Sequence, residues 1–292
     1  MKVVVQGVEL FFDVDGAKLA PAGAWMRDRP TVLLLHTGPG VDHSPYKDHI
    51  GPALAQVAQV VYLDLRGAGR SDWSDSAHWT LDTWVEDVRE FCEMLELERP
   101  IILGTSLGGL IGVLLAARHP ERVDRLVLVS TVARYVHTRA ITVFDRLGGP
   151  AAGEVAARYF ADPSAAAFAE FLRVCVPLYT RNPDPDTVAR IEMNLELTAY
   201  WDRNERAFDI REEAALVTCQ TLVLAGEEDP STTIVGTEEL VAALPAELTR
   251  FHRFANAGHG VFRDAPEAIG LVRESCWQSL ALRRPTRSEA RP

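Results

Sequence analysis

The chain has 292 residues, long enough for one large buried core, and its 47% apolar and 24% charged residues are those of an ordinary soluble globular protein. A formal net charge of −11 argues against nucleic acid as a partner and against an anionic membrane surface. Met1-Lys2-Val3-Val4-Val5-Gln6-Gly7 holds too short an apolar run for a signal peptide, and no run approaches the roughly 18 apolar residues that span a bilayer, so a cytoplasmic location is expected.

Val3-Val4-Val5 and Glu9-Leu10-Phe11-Phe12-Asp13-Val14 flank Gln6-Gly7 and predict an opening hairpin. Thr31-Val32-Leu33-Leu34-Leu35-His36 reads as a buried strand, residues 50–58 as a helix, and Val60-Val61-Tyr62-Leu63-Asp64-Leu65 as the next strand. Residues 81–97 have helical periodicity with Thr80 as N-cap. Pro100-Ile101-Ile102-Leu103 is a strand, residues 109–118 are a helix, and Leu126-Val127-Leu128-Val129 is another strand. Apolar strands alternating with helices predict an α/β fold with a mostly parallel, doubly wound sheet covered on both faces.

The alternation stops near residue 131. Residues 131–216 are helical in character and aromatic-rich, broken at Gly148-Gly149-Pro150 and Asn182-Pro183-Asp184-Pro185. They are expected to form a helical cap inserted into a core made of residues 1–130 and 217–282. Thr221-Leu222-Val223-Leu224-Ala225-Gly226 resumes the strands; residues 234–244 predict a helix, 249–254 a strand, 260–282 a closing helix, and 283–292 a disordered tail. Cys92, Cys175, Cys219 and Cys276 lie in apolar surroundings without metal-ligand spacing, and read as buried free thiols in a reducing compartment.

Gly104-Thr105-Ser106-Leu107-Gly108 sits between a strand and a helix. A sharp turn there strains the backbone at Ser106, glycines two residues either side relieve the crowding, and the hydroxyl is held out at the strand ends above a helix N-terminus. Ser106 is therefore the candidate nucleophile. A serine needs a base, an acid that orients the base, and donors for the oxyanion. The candidate base is His259, in the loop Asn256-Ala257-Gly258-His259-Gly260 after a strand. The candidate acid is Asp229 in Gly226-Glu227-Glu228-Asp229-Pro230, with Glu228 as the alternative. The candidate oxyanion donors are the N–H groups of Leu107 and of Thr37, or else Gly38, in His36-Thr37-Gly38-Pro39-Gly40, a turn that fits a cis peptide. His36 reads as structural and His119 as a helix-end cation; His43, His49, His78, His137 and His252 read as surface or core residues. Asp64-Leu65-Arg66-Gly67-Ala68-Gly69-Arg70-Ser71-Asp72 reads as a tight loop whose charges pair internally in support of the site.

Together these residues resemble the α/β-hydrolase superfamily over residues 7–282. The 36–40 and 64–72 segments resemble its proline iminopeptidase branch, although Thr37 and Leu107 stand where that branch has glycine and an aromatic residue. The resemblance implies an α/β-hydrolase fold and removal of N-terminal residues through a serine triad, without cofactor or metal, on a small-molecule or short peptide substrate. An aminopeptidase must hold an ammonium. On a helix expected over residues 187–203, Glu192 and Glu196 lie at i, i+4 between two apolar stripes, one of which includes Tyr200 and Trp201. These four residues are the candidate substrate contacts. A carboxylesterase or lactonase and a C–C bond hydrolase are alternatives on the same triad. Halide or epoxide chemistry on this fold uses an aspartate nucleophile, against which Ser106 speaks. A non-catalytic ligand-binding relative is disfavoured because all three triad candidates are present.

Overall fold

The computed structural model describes residues 1–282; the tail 283–292 lies outside the described residues. Strands β1 (Lys2–Val5) and β2 (Val8–Asp15) form the expected antiparallel hairpin, and its turn places Gln6 at φ 46° and Gly7 at φ 78°. Two positive φ angles in a two-residue loop match the right-handed strand twist. A second hairpin, β3 (Leu19–Ala22) with β4 (Trp25–Asp28), stands apart as a two-stranded sheet. The remaining strands are β5 (Thr31–Leu35), β6 (Gln59–Leu63), β7 (Ile101–Thr105), β8 (Arg125–Val129), β9 (Gln220–Gly226) and β10 (Thr249–Phe254). The main sheet is eight-stranded in the order β1-β2-β6-β5-β7-β8-β9-β10, parallel from β6 to β10.

Its strands are apolar at nearly every position because both faces are covered. Leu33, Leu35, Ile102, Leu126 and Leu128 pack on one face against Trp84, Val88 and Phe91 of α2 (Leu81–Met94) and Leu110, Ile111 and Leu114 of α3 (Leu107–Arg118). Val32, Leu34, Leu103 and Val127 pack on the other against Ile50 and Leu54 of α1 (Ile50–Ala55) and Val272 of the closing helix. Thr80 caps α2, accepting from Thr83 N–H at 3.2 Å. The four cysteines are buried and free, and burial pushes the Cys92 and Cys276 thiols up to about 12.

Between β8 and β9 the chain forms α4 (His137–Gly148), α5 (Pro150–Ala161), α6 (Ala165–Val174), α7 (Pro185–Arg190), α8 (Leu195–Asn204) and α9 (Arg211–Ala214). Phe144, Val155, Tyr159, Phe171 and Cys175 give the first three of these a core of their own. Then come α10 (Ile234–Ala243), α11 (Val261–Asp264) and α12 (Ala268–Leu282). The closing helix expected over 260–282 is thus two pieces. Pro266 cannot donate its missing N–H to a continuing helix, and Ala265 before it adopts φ −131°, ψ 76°.

A second correction bears on the site. The single helix expected over 187–203 is also two, α7 and α8. Met193 pairs with Val41 in an isolated β-bridge, and Asn194 N–H donates to Gly40 C=O at 2.8 Å. The Asn194 side chain then starts α8, accepting from Glu196 and Leu197 N–H at 3.0 and 3.1 Å, while its Nδ2 donates to Gly67 C=O at 2.9 Å. Asparagine is a strong N-cap, and a buried one with three partners overrides local periodicity. Thr198 Oγ1 adds a bond to Pro39 C=O at 3.1 Å, so α8 is fastened to the 36–40 loop.

Candidate active site

Ser106 lies at φ 53°, ψ −113°, just past β7 and immediately before α3. A non-glycine residue there is strained by about 1–3 kcal/mol and persists only where its surroundings hold it. They do. Ser106 N–H donates to Val129 C=O at 2.9 Å on the neighbouring strand. A side chain at Gly104 would place its Cβ 2.3 Å from Gly108 C=O, and one at Gly108 would lie 2.2 Å from Leu35 C=O. Glycine at these two positions is what allows the turn to be so tight.

The loops after β9 and β10 bring the other two candidates together. These strands run parallel with Gly226 opposite Phe254, and a Cβ on Gly226 would lie 2.2 Å from Ala257 C=O. His259 Nδ1 and Asp229 Oδ2 are 2.8 Å apart. Asp229 is 1% exposed and also accepts from Ser231 N–H at 2.7 Å, Thr232 N–H at 2.9 Å and Thr232 Oγ1 at 2.6 Å. Burial pushes its carboxyl up, but the His259 charge and these hydrogen bonds outweigh burial and hold it below the usual carboxylate range. Glu228 points elsewhere, paired with Arg181 at 2.5 Å. Sequence reading missed Thr232; a threonine shortly after the acid was the available signal. Tyr179, also missed, packs edge-on to the His259 ring at 5.3 Å.

The Gly38–Pro39 peptide is cis. Of the two oxyanion candidates in this loop, Thr37 is corrected by the geometry: its N–H donates to the Tyr46 phenol at 3.0 Å. Gly38 N–H and Leu107 N–H donate to no acceptor among the described residues. His36 is fully buried, its Nε2 accepting from Leu65 N–H at 3.0 Å while its Nδ1 meets Thr37 C=O at 2.5 Å. Burial holds it neutral, below the usual histidine range, in spite of Asp64. The charges of the 64–72 loop, expected to pair within it, pair instead with residues of neighbouring segments, because the tight turn points them outward from the loop. Arg66 grips Asp87 with two bonds of 2.7 and 2.6 Å, and Asp64 receives His43 Nδ1 at 2.7 Å. Breaking such a buried pair costs about 3–5 kcal/mol, against at most about 1 for exposed pairs, so this loop is a scaffold.

Ser106 and His259 line one cavity of about 540 Å³ between the strand ends and the helices that follow β8. Its walls are mainly apolar, with Val41, Ile50, Phe168, Leu172, Val176 and Met193 among them. A smaller recess of about 50 Å³ adjoins it, lined by Ser106, Gly38, Leu107, Trp201 and Arg206. Of the four candidate substrate contacts, only Trp201 reaches this region. Tyr200 packs edge-on against Trp79. Glu196 is exposed, and Glu192 is exposed and paired with Arg70 at 3.0 Å. The break at Asn194 rotates both carboxylates away from the cavity. The buried carboxylate that does line it is Asp202, which sequence reading passed over as a contact. It is bonded to the Tyr159 hydroxyl and paired with Arg206, whose guanidinium also stacks over Tyr135.

The alpha/beta hydrolase fold family matches residues 30–266, and the chain belongs to it. Over 102 residues it is 36% identical to a 2-hydroxymuconate semialdehyde hydrolase of Pseudomonas sp. (strain CF600), a match covering 35% of this chain and 36% of that relative. Over 272 residues it is 30% identical to a putative carbamate hydrolase RutD of Caulobacter sp. (strain K31), covering 89% of this chain and 94% of that one. The structure of a proline iminopeptidase of Mycobacterium smegmatis superposes with a TM-score of 0.75 at 25% identity, covering 96% of this chain and 98% of that one. The likeness to the proline iminopeptidase branch expected from the 36–40 and 64–72 segments is thereby found. Among the described residues no helix is long and apolar enough to cross a membrane.

Proposed function

We propose that the chain is a serine hydrolase that cleaves small acyl substrates through Ser106, His259 and Asp229. The observation that carries this reading is that His259, which lines the same cavity as Ser106, is paired from behind with a buried Asp229 held below the usual carboxylate range. The bond from Nδ1 to Asp229 leaves Nε2 to take the Ser106 proton as Oγ attacks the carbonyl carbon. The oxyanion would rest on Leu107 and Gly38 N–H. His259 would return the proton to the leaving group as the bond to it breaks, and water would then repeat the cycle on the acyl-enzyme. The helices between β8 and β9 act as the cap, and the apolar cavity of about 540 Å³ receives the acyl group.

A mainly apolar cavity with no free carboxylate among the described residues to meet an ammonium favours an ester or lactone over an amine-bearing peptide. Aminopeptidase action of the proline iminopeptidase kind is the second reading, favoured by the likeness to that branch. It would have to place the substrate ammonium against Asp202, where Arg206 already sits. Side-by-side turnover of prolyl arylamides, aryl esters and lactones, with active-site labelling by a fluorophosphonate, tests both. Absence of labelling and of turnover on all three would sink the serine hydrolase reading.

A further inference from the structure

The charged side chains that line the main cavity do not balance. Asp202 and Arg206 form a pair, and Arg263 is a second guanidinium with no carboxylate against it. Arg263 Nε is buried without a hydrogen-bond partner, and its guanidinium makes no ion pair among the described residues. The charge of Arg263 reaches Asp184, but that carboxylate is committed to the start of α7, accepting from Asp186 N–H at 3.0 Å and Thr187 Oγ1 at 2.7 Å. His49 Nε2 is a second buried polar atom of the same cavity with no partner. His49 shares a loop with Tyr46, and Arg263 acts on Tyr46 from across that wall, where burial raises the phenol to about 12. Two unpartnered nitrogens in a mainly apolar wall, one a guanidinium donor and one an imidazole nitrogen that donates in the matching tautomer, each carry a desolvation cost that a bound acceptor would remove. In a protein of net charge −11, an uncompensated cation at this place is a local reversal of sign.

We infer that Arg263, assisted by His49, binds a carboxylate on the acyl part of the substrate, so that the cavity is built for ω-carboxylate acyl groups. The fork of Arg263 suits a carboxylate, which takes two parallel N–H bonds, and His49 offers a third contact. The inference rests on the serine hydrolase reading for its kinetic test only.

The probes are aryl monoesters of straight-chain dicarboxylic acids of increasing length, each compared with the aryl ester of the matching monocarboxylic acid. At the length that reaches Arg263, kcat/KM should favour the ω-carboxylate ester. Arg263→Met should lower the ratio of the two kcat/KM values by at least about thirtyfold, or about 2 kcal/mol at 1.4 kcal/mol per tenfold, with Arg263→Lys keeping part of it and His49→Phe lowering it less. Neutral esters preferred at every length, with a ratio that Arg263→Met leaves alone, would overturn the inference. Calorimetric binding of the free dicarboxylates to Ser106→Ala, with and without Arg263→Met, tests the subsite separately from turnover. If no ester is cleaved, the hydrolase reading fails and this measurement alone decides: binding lost with Arg263 supports the subsite, and no binding refutes it.

Discussion

Two buried aspartates, Asp202 in the cavity wall and Asp229 behind the His259 that lines it, are shifted in opposite directions. Asp229, on the sheet side, is held below the usual carboxylate range although burial works against it. Asp202, on the helical side, is held above that range by burial, which its Arg206 partner only partly offsets. The difference is the number and origin of donors. Asp229 receives two backbone N–H groups, a hydroxyl and an imidazole, all on loops fixed by adjacent parallel strands. Asp202 has only side-chain partners, the Tyr159 hydroxyl from α5 and the Arg206 guanidinium from the loop just past α8. Rigid donors preorganise a charge; flexible ones merely tolerate it. That suits the role proposed for Asp229, an acid kept ionised through turnover, and the place of Asp202 in the cavity wall.

The largest expected effect tests the sheet side. Ser106→Ala should lower kcat about a thousandfold or more and abolish fluorophosphonate labelling, while circular dichroism and Tm stay near wild type. Retained turnover would remove Ser106 from its role. Next, Asp229→Asn should cost roughly a thousand- to ten-thousandfold in kcat by losing the acceptor that orients His259, whereas Glu228→Gln changes an ion pair with Arg181 and should cost little. The reverse ranking would transfer the role to Glu228. On the helical side, Asp202→Asn leaves the half-buried Arg206 without its carboxylate and should lower unfolding free energy by about 1–2 kcal/mol in urea titrations. Unchanged stability would mean that the pair carries no structural load.

The smallest effect sharpens the comparison. Thr232→Val removes one donor from Asp229 without touching His259's bond to it, and should lower kcat about tenfold. It also has a signed pH signature. Because Asp229 titrates lower folded than unfolded, it contributes stability that is present above its unfolded pKa of about 3.9 and is lost as pH falls through the folded value. Losing the Thr232 hydroxyl raises the folded value, so acid unfolding should begin at higher pH in the variant. An acid midpoint that does not move would show that the backbone donors alone hold Asp229.

Local features of the site were legible because their chemistry is local. The Ser106 turn, the Gln6-Gly7 hairpin and the Thr80 cap each depend on a few neighbouring residues whose backbone preferences leave little choice. Strand periodicity likewise gave the parallel sheet, since strands buried on both faces must be continuously apolar. What the sequence could not decide was contact across distance. The 187–203 periodicity predicts one helix, yet the bonds from Asn194 to Gly40 and Gly67 cut it in two and turn Glu192 and Glu196 outward. Thr37 and Gly38 look equivalent as oxyanion donors until Tyr46 takes the Thr37 N–H. Arg263 and His49 are unremarkable on their own elements, and only folding sets both in one apolar wall without partners. By itself, then, the sequence determined the sheet and the turn at Ser106, because backbone sterics and apolar period act over short spans, and it singled out an aspartate and a histidine that the fold pairs. The tertiary structure alone decided which charges are paired, which are buried, and so which groups the cavity offers to a substrate, because desolvation and ion pairing depend on what lies across the gap.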